Sequence, residues 1–141
     1  DRPFATLDPT TRLLRVPRLR DVVLTDTVGF IRHLPEDLRD AFMATLEELE
    51  NAHFLLHVAD AASLELEEQM AAVEGILDDL HLQDTPRLLV LNKSDLLDAA
   101  AKENLRARFP EAVLVSARLG HGLDVLVNRI VVQMERIHHF F

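Results

Sequence analysis

Three short runs of this chain are apolar at successive positions and bounded by polar residues: Phe54-Leu55-Leu56-His57-Val58, Leu88-Leu89-Val90-Leu91 and Ala112-Val113-Leu114-Val115. Successive side chains of an extended strand point to opposite faces, so a strand with one wet face has to alternate. These runs do not alternate. They predict strands covered on both faces, as in a parallel sheet flanked by helices. An earlier pair reads differently. Arg12 to Pro17 alternates basic and apolar residues, and Asp21-Val22-Val23-Leu24-Thr25 then turns apolar. With Pro17-Arg18-Leu19-Arg20 between them, the two predict an antiparallel hairpin whose first strand lies at a sheet edge.

Segments of helical period fill the gaps. Leu38, Ala41, Phe42 and Leu49 stripe a helix from about Pro35 to Asn51, with proline in its first turn. Met70, Val73, Leu77 and Leu80 stripe a second, from about Leu64 to Leu80, whose Glu65, Glu67 and Glu68 suit the positive end of the helix dipole. A third, from about Ala99 to Phe109, stops at Pro110. Leu123, Leu126, Val127, Ile130, Val131, Met134 and Ile137 stripe the last. The order β-β-α-β-α-β-α-β-α predicts an α/β fold: a three-layer, doubly wound, mostly parallel sheet with one antiparallel edge strand. With 141 residues, 48% of them hydrophobic, the chain is sized for one domain and is too apolar for wholesale disorder.

Composition removes several functions. There is no cysteine, which excludes disulfides and cysteine-ligated metals. Twenty-four acids against 15 bases leave a charge of −9, which disfavours a broad nucleic-acid or anionic-membrane face. No apolar run approaches membrane-spanning length and the start lacks a signal-peptide layout, so the expectation is a cytoplasmic protein with no membrane span.

In sheets of this kind ligands bind beyond the carboxyl ends of the strands. Three polar tips fall there: Asp26-Thr27-Val28-Gly29, Asn92-Lys93-Ser94-Asp95 and Ser116-Ala117-Arg118. Asp-x-x-Gly alone is weak, expected by chance in about a third of chains this long. Asn-Lys-x-Asp is much rarer by chance, and its chemistry is specific. One carboxylate can accept both the ring N–H and the exocyclic N–H of guanine, a pair that adenine lacks. Asn92 can serve the remaining purine edge, the aliphatic stem of Lys93 can cover a ring face, and the 116–118 loop can offer a backbone N–H to the guanine oxygen.

The three tips resemble the third, fourth and fifth guanine-nucleotide motifs of Ras-like GTPases, in the right order and context. Phe4-Ala5-Thr6-Leu7-Asp8-Pro9-Thr10-Thr11-Arg12, Asp26-Thr27-Val28-Gly29-Phe30-Ile31 and Ala44-Thr45-Leu46-Glu47-Glu48 are similar, more narrowly, to the HflX family. The resemblance covers nearly the whole chain and implies a GTPase that binds GTP or GDP with Mg²⁺. It implies that Phe4, Ala5, Thr6, Leu7 and Asp8 form the first switch, with Thr6 engaging Mg²⁺ and the γ-phosphate. Asp26 would hold the metal, and the N–H of Gly29 would contact the γ-phosphate. Thr6 and Gly29 are thus the catalytic candidates, and Thr6 and Asp26 the metal candidates. Phe30 stands where many such enzymes carry the glutamine that orients the attacking water. A hydrocarbon cannot do that, so slow intrinsic turnover, accelerated by a partner, is expected. The family also implies the ribosome, mainly its large subunit, as partner, with a role in subunit splitting or recycling under stress.

One family element is missing. Of four glycines, Gly29, Gly75, Gly120 and Gly122, none precedes the first switch, and no Gly-x-x-x-x-Gly-Lys-Ser/Thr loop occurs anywhere. The expectation is a partial G domain over residues 1–141, with the phosphate loop and an N-terminal HflX domain outside it, and with little activity by itself. The alternative is a pseudo-GTPase without a phosphate loop, acting as a non-catalytic interaction module. In the family fold the missing strand would lie between the strands near Val22–Leu24 and Phe54–Val58, leaving two apolar edges open. A response-regulator type of domain is disfavoured by the Asn92/Asp95 pair.

The remaining features have plainer readings. His53 and His57 fall across a strand start, where four-residue spacing does not bring them side by side, so a metal role is disfavoured. Asp60, at the end of its apolar run, could line the site, although capping the turn near Ala61–Ser63 is the simpler role.

Overall fold

The computed structural model describes residues 10–14, 22–26 and 52–138. Through them run β1 (Thr10–Leu14), β2 (Val22–Asp26), β3 (Leu55–Asp60), α1 (Leu66–Asp79), β4 (Arg87–Asn92), α2 (Ala99–Arg108), β5 (Val113–Leu114) and α3 (Leu123–His138). A single 3-10 turn, Ser94–Leu96, follows β4. The expected helix near 35–51 lies outside the described residues. The chain divides into two compact units, residues 1–52 with 68–84 and residues 53–67 with 85–141.

The first unit contains β1 and β2, paired antiparallel with Thr10 opposite Asp26 and Leu14 opposite Val22. This is the expected pairing, with the first strand described over Thr10–Leu14; its expected continuation to Pro17 lies outside the described residues. Most of α1 belongs to the same unit, where Val73 and Leu77 are buried on its apolar stripe. That helix begins two residues later than its periodicity suggests: Leu64 is fully exposed, and the Ser63 hydroxyl accepts the Glu65 N–H at 3.1 Å, turning the chain before Leu66 enters the helix.

The second unit is built on a parallel sheet in the order β3-β4-β5, with Asp60 opposite Asn92 and Leu91 opposite Leu114. Parallel neighbours need long crossovers, and the segments carrying α1 and α2 provide them. The core is Leu88, Val90, Val113 and Val115, with Phe54, Leu56 and Leu126 packed against it. Leu91 is completely buried. The double-sided apolar reading therefore holds for β4 and for the β5 run.

It does not hold throughout β3. Leu55 and Ala59 are buried, but Val58 is 60% exposed. Alternation places Val58 on the face and at the end of the strand that carry Asp60. Among the described residues β3 and β5 are both edge strands, so the exposure of Val58 reflects an uncovered face at the carboxyl end of β3, which an apolar letter does not report. The α3 stripe also needs correction. Val131 is buried and Leu126, Ile130, Met134 and Ile137 partly so, whereas Leu123 and Val127, four residues apart at the start of the helix, are exposed.

Capping sets the bounds of α2. The Asp98 carboxylate accepts the Ala101 N–H at 2.8 Å at its start, and the helix gives out at Phe109, before Pro110. The Arg129 guanidinium of α3 donates to the Glu111 carbonyl at 2.9 Å, fastening α3 to the turn ahead of β5. Among the described residues, no helix is long and apolar enough to cross a membrane.

Candidate functional site

The site candidates of the second unit gather where β3, β4 and β5 end. Parallel pairing brings those carboxyl ends together, and backbone bonds extend the ladder past the strands. Ala61 N–H donates to the Asn92 carbonyl at 2.8 Å, Val115 N–H to Leu91 at 2.9 Å, and Ser94 N–H to Val115 at 3.0 Å. The loops leaving β4 and β5 are thus joined before any side chain takes part.

The β4 exit turns sharply at Lys93, which is left-handed at φ 68°, ψ 32°. For a residue with a Cβ that conformation costs about 1 kcal/mol. The turn starts the Ser94–Leu96 helical turn and presents Asp95 toward the β5 exit. There the Ser116 hydroxyl, 1% exposed, donates to Asp95 Oδ1 at 2.9 Å and accepts the Leu119 N–H at 3.2 Å. Asn92 Oδ1 accepts the Ala117 N–H at 3.0 Å. Ser94 is buried, and its N–H serves the frame rather than facing outward.

The β5 exit closes on itself. Ser116 N–H donates to the His121 carbonyl at 2.9 Å, while the Ser116 carbonyl accepts from Gly120 at 2.8 Å and from His121 at 3.1 Å. Gly122 ends the loop at φ +76°, and a Cβ there would run into the Leu114 carbonyl. Glycine is required at this position for space and for backbone conformation alike.

Asp60 enters from β3, caps the turn as expected and also pairs with Lys93. Oδ1 accepts the Ala62 N–H at 2.9 Å, capping the turn, and Oδ2 lies 3.2 Å from Lys93 Nζ. Both side chains are partly exposed.

This arrangement has definite chemistry. With its oxygen engaged by Ala117, the Asn92 amide presents Nδ2 as a donor, suited to the acceptors on a purine's outer edge. Asp95 keeps Oδ2 without a hydrogen bond among the described residues, beside an Oδ1 that can accept once more. Two adjacent acceptors match the N–H pair of guanine. In the 116–118 loop the Ala117 N–H is taken by Asn92, so the N–H that remains without a partner among the described residues is that of Arg118.

Asn92, Lys93, Ser94, Asp95, Ser116, Ala117 and Arg118 are therefore brought to one rim, as their placement after adjacent strands requires. Asp26 is the last residue of β2, opposite Thr10. Phe4, Ala5, Thr6, Leu7, Asp8, Thr27, Val28 and Gly29 lie outside the described residues. Two features escaped the sequence reading. Asp60 is tied to Lys93, of which its letter gave no sign, and Gly122 has a steric role hidden inside a Gly-x-Gly pair that matters for turning rather than for phosphate.

The comparisons agree with this geometry. Residues 1–93 match the family model described as 50S ribosome-binding GTPase. The chain is 48% identical over 130 residues to the GTPase HflX of Caldanaerobacter subterraneus subsp. tengcongensis, covering 92% of this chain and 29% of that protein. It is 44% identical over 132 residues to the GTPase HflX of Escherichia coli, covering 92% of this chain and 31% of that one. Among solved structures, a GTP-binding protein from Sulfolobus solfataricus in complex with GDP superimposes with a TM-score of 0.76 at 28% identity, covering 92% of this chain and 45% of that one. The chain thus spans about a third of the length of the curated relatives it matches.

Proposed function

The chain belongs to the 50S ribosome-binding GTPase family and to its HflX members, and on that premise we propose that the rim formed by the β4 and β5 exits reads the guanine base of GTP in a protein that hydrolyses it. The observation that carries this reading is the Asp95 carboxylate, oriented by Ser116 at 2.9 Å, in a loop whose Asn92 is tied to Ala117. Asp95 accepts from the guanine N–H pair, Asn92 Nδ2 donates to the outer purine edge, and the Arg118 N–H donates to the base oxygen. Bases lacking either partner pattern leave a polar group of the rim unmatched, which is where discrimination arises.

We assign the phosphate end to Thr6, Asp26 and Gly29. Thr6 and Gly29 contact the γ-phosphate through hydroxyl and backbone N–H. Thr6 and Asp26 supply hard oxygen donors, the type that Mg²⁺ takes, and Asp26 stands at the end of β2 as that role requires. When bound, Mg²⁺ neutralises charge on the phosphates. The sequence has no Gly-x-x-x-x-Gly-Lys-Ser/Thr loop, and we assign that part of the cradle to chain outside these residues. Phe30 follows Gly29 and cannot orient a water, so hydrolysis draws on another group, and the ribosomal large subunit is the partner proposed to complete it.

The test is Asp95→Asn in the full natural chain, with GDP and xanthosine diphosphate affinities measured by calorimetry. An amide offers one acceptor and one donor in place of two acceptors. GDP affinity should fall by roughly 30-fold, about 2 kcal/mol, while the xanthine nucleotide gains. An unchanged preference removes Asp95 from the site.

A further inference from the structure

We propose that Asp60 is a positioning residue for the purine. It holds the Lys93 ammonium, so that the lysine's hydrocarbon stem is laid out beside Asp95 as a floor for the base. The proposal rests on the guanine reading above and adds a member to that site.

The carboxylate is fixed from two directions. Oδ1 accepts the Ala62 N–H at 2.9 Å, and Oδ2 sits 3.2 Å from Lys93 Nζ. Its backbone is fixed as well, because Asp60 pairs in register with Asn92 and the next residue, Ala61, donates to the Asn92 carbonyl at 2.8 Å. Lys93 is consequently anchored at both ends, its Cα on the β4 exit and its ammonium on the β3 exit. Lys93 holds this place on a left-handed backbone, φ 68° and ψ 32°, with its ammonium at Asp60. Both charged side chains remain partly open to solvent, so a flat ring can reach the stem between them.

A free lysine stem samples many rotamers, and a ligand that stacks on it has to order them. A stem already held by Asp60 has lost that freedom before binding, and the ordering cost is removed from the ligand's affinity. A hydrocarbon floor has no hydrogen-bonding preference. Asp60 should therefore raise affinity for purine nucleotides without sorting them, whereas Asp95 sorts them.

The experiment compares Asp60→Asn, Lys93→Met and the double variant in the full natural chain, with GDP and inosine diphosphate affinities read by calorimetry. Asparagine keeps an oxygen for the Ala62 N–H but loses the charge, and methionine keeps most of the stem but loses the ammonium. Each single variant should weaken both nucleotides by the same factor, about threefold, and the double variant should be no worse than either single. The unfolding midpoint of Asp60→Asn should match the parent. Parental affinity in Asp60→Asn, unequal loss for the two nucleotides, or additive losses in the double variant would overturn the role of Asp60. Asp95→Asn is the control. If it leaves the GDP-to-inosine-diphosphate ratio unchanged, the guanine reading fails, and the proposal falls with it. If the ratio changes and Asp60→Asn still binds like the parent, only the proposal fails.

Discussion

The loops leaving β4 and β5 lie side by side, tied together by backbone bonds, yet they handle the left-handed region in opposite ways. The β5 exit places glycines there, Gly120 at φ 78° and Gly122 at φ 76°. The β4 exit places a lysine there, at φ 68°. Glycine enters that region without strain and a lysine does not. Strain is thus accepted where the side chain has work to do, tied to Asp60 and beside Asp95. It is avoided where only the course of the backbone matters. On the proposed function the β4 exit offers side chains to the base, and the β5 exit offers backbone alone.

Three substitutions test that division, in descending order of effect. Gly122→Ala adds a Cβ aimed at the Leu114 carbonyl, on a backbone that disfavours any side chain. It should cost about 3 kcal/mol of stability in urea unfolding. A loss below ~1 kcal/mol would mean that the frame can yield. Ser116→Ala removes the hydroxyl shared between Asp95 and the Leu119 N–H from a buried position. It should cost about 1.5 kcal/mol and weaken GDP binding too, because the reading loop loses its brace. Stability lost without any loss of binding would separate the two loops. Lys93→Gly should leave stability within ~0.5 kcal/mol of the parent, since relief of left-handed strain offsets the lost pair with Asp60. GDP affinity should still fall. A clear loss of stability would show that Lys93 is structural rather than reading.

The same division explains what the sequence made legible. The β4 run, Leu88 to Leu91, is apolar on both faces because both are buried, and the loop after it follows from the parallel topology. Asn92 and Asp95 were recognisable because their chemistry needs particular atoms at fixed spacing. Val58 misled for a physical reason: apolar character reports solubility, and which end of a strand another element covers is decided by tertiary packing that letters do not encode. The Asp60–Lys93 pair was hidden because it joins residues 33 positions apart through strand register, which letters do not encode. Gly122 was hidden because crowding by the Leu114 carbonyl exists only after the chain has turned back on β5.

β4 has a partner strand on each side, and its last residue is the first of the reading loop. A segment attached in this way opens to solvent only when the strand it continues gives up both neighbours, so its local opening free energy approaches that of the whole sheet. Leu91, completely buried one position before Asn92, is the hinge pin of that arrangement. On the proposed function, a guanine in the rim therefore meets a fixed stop rather than a gate.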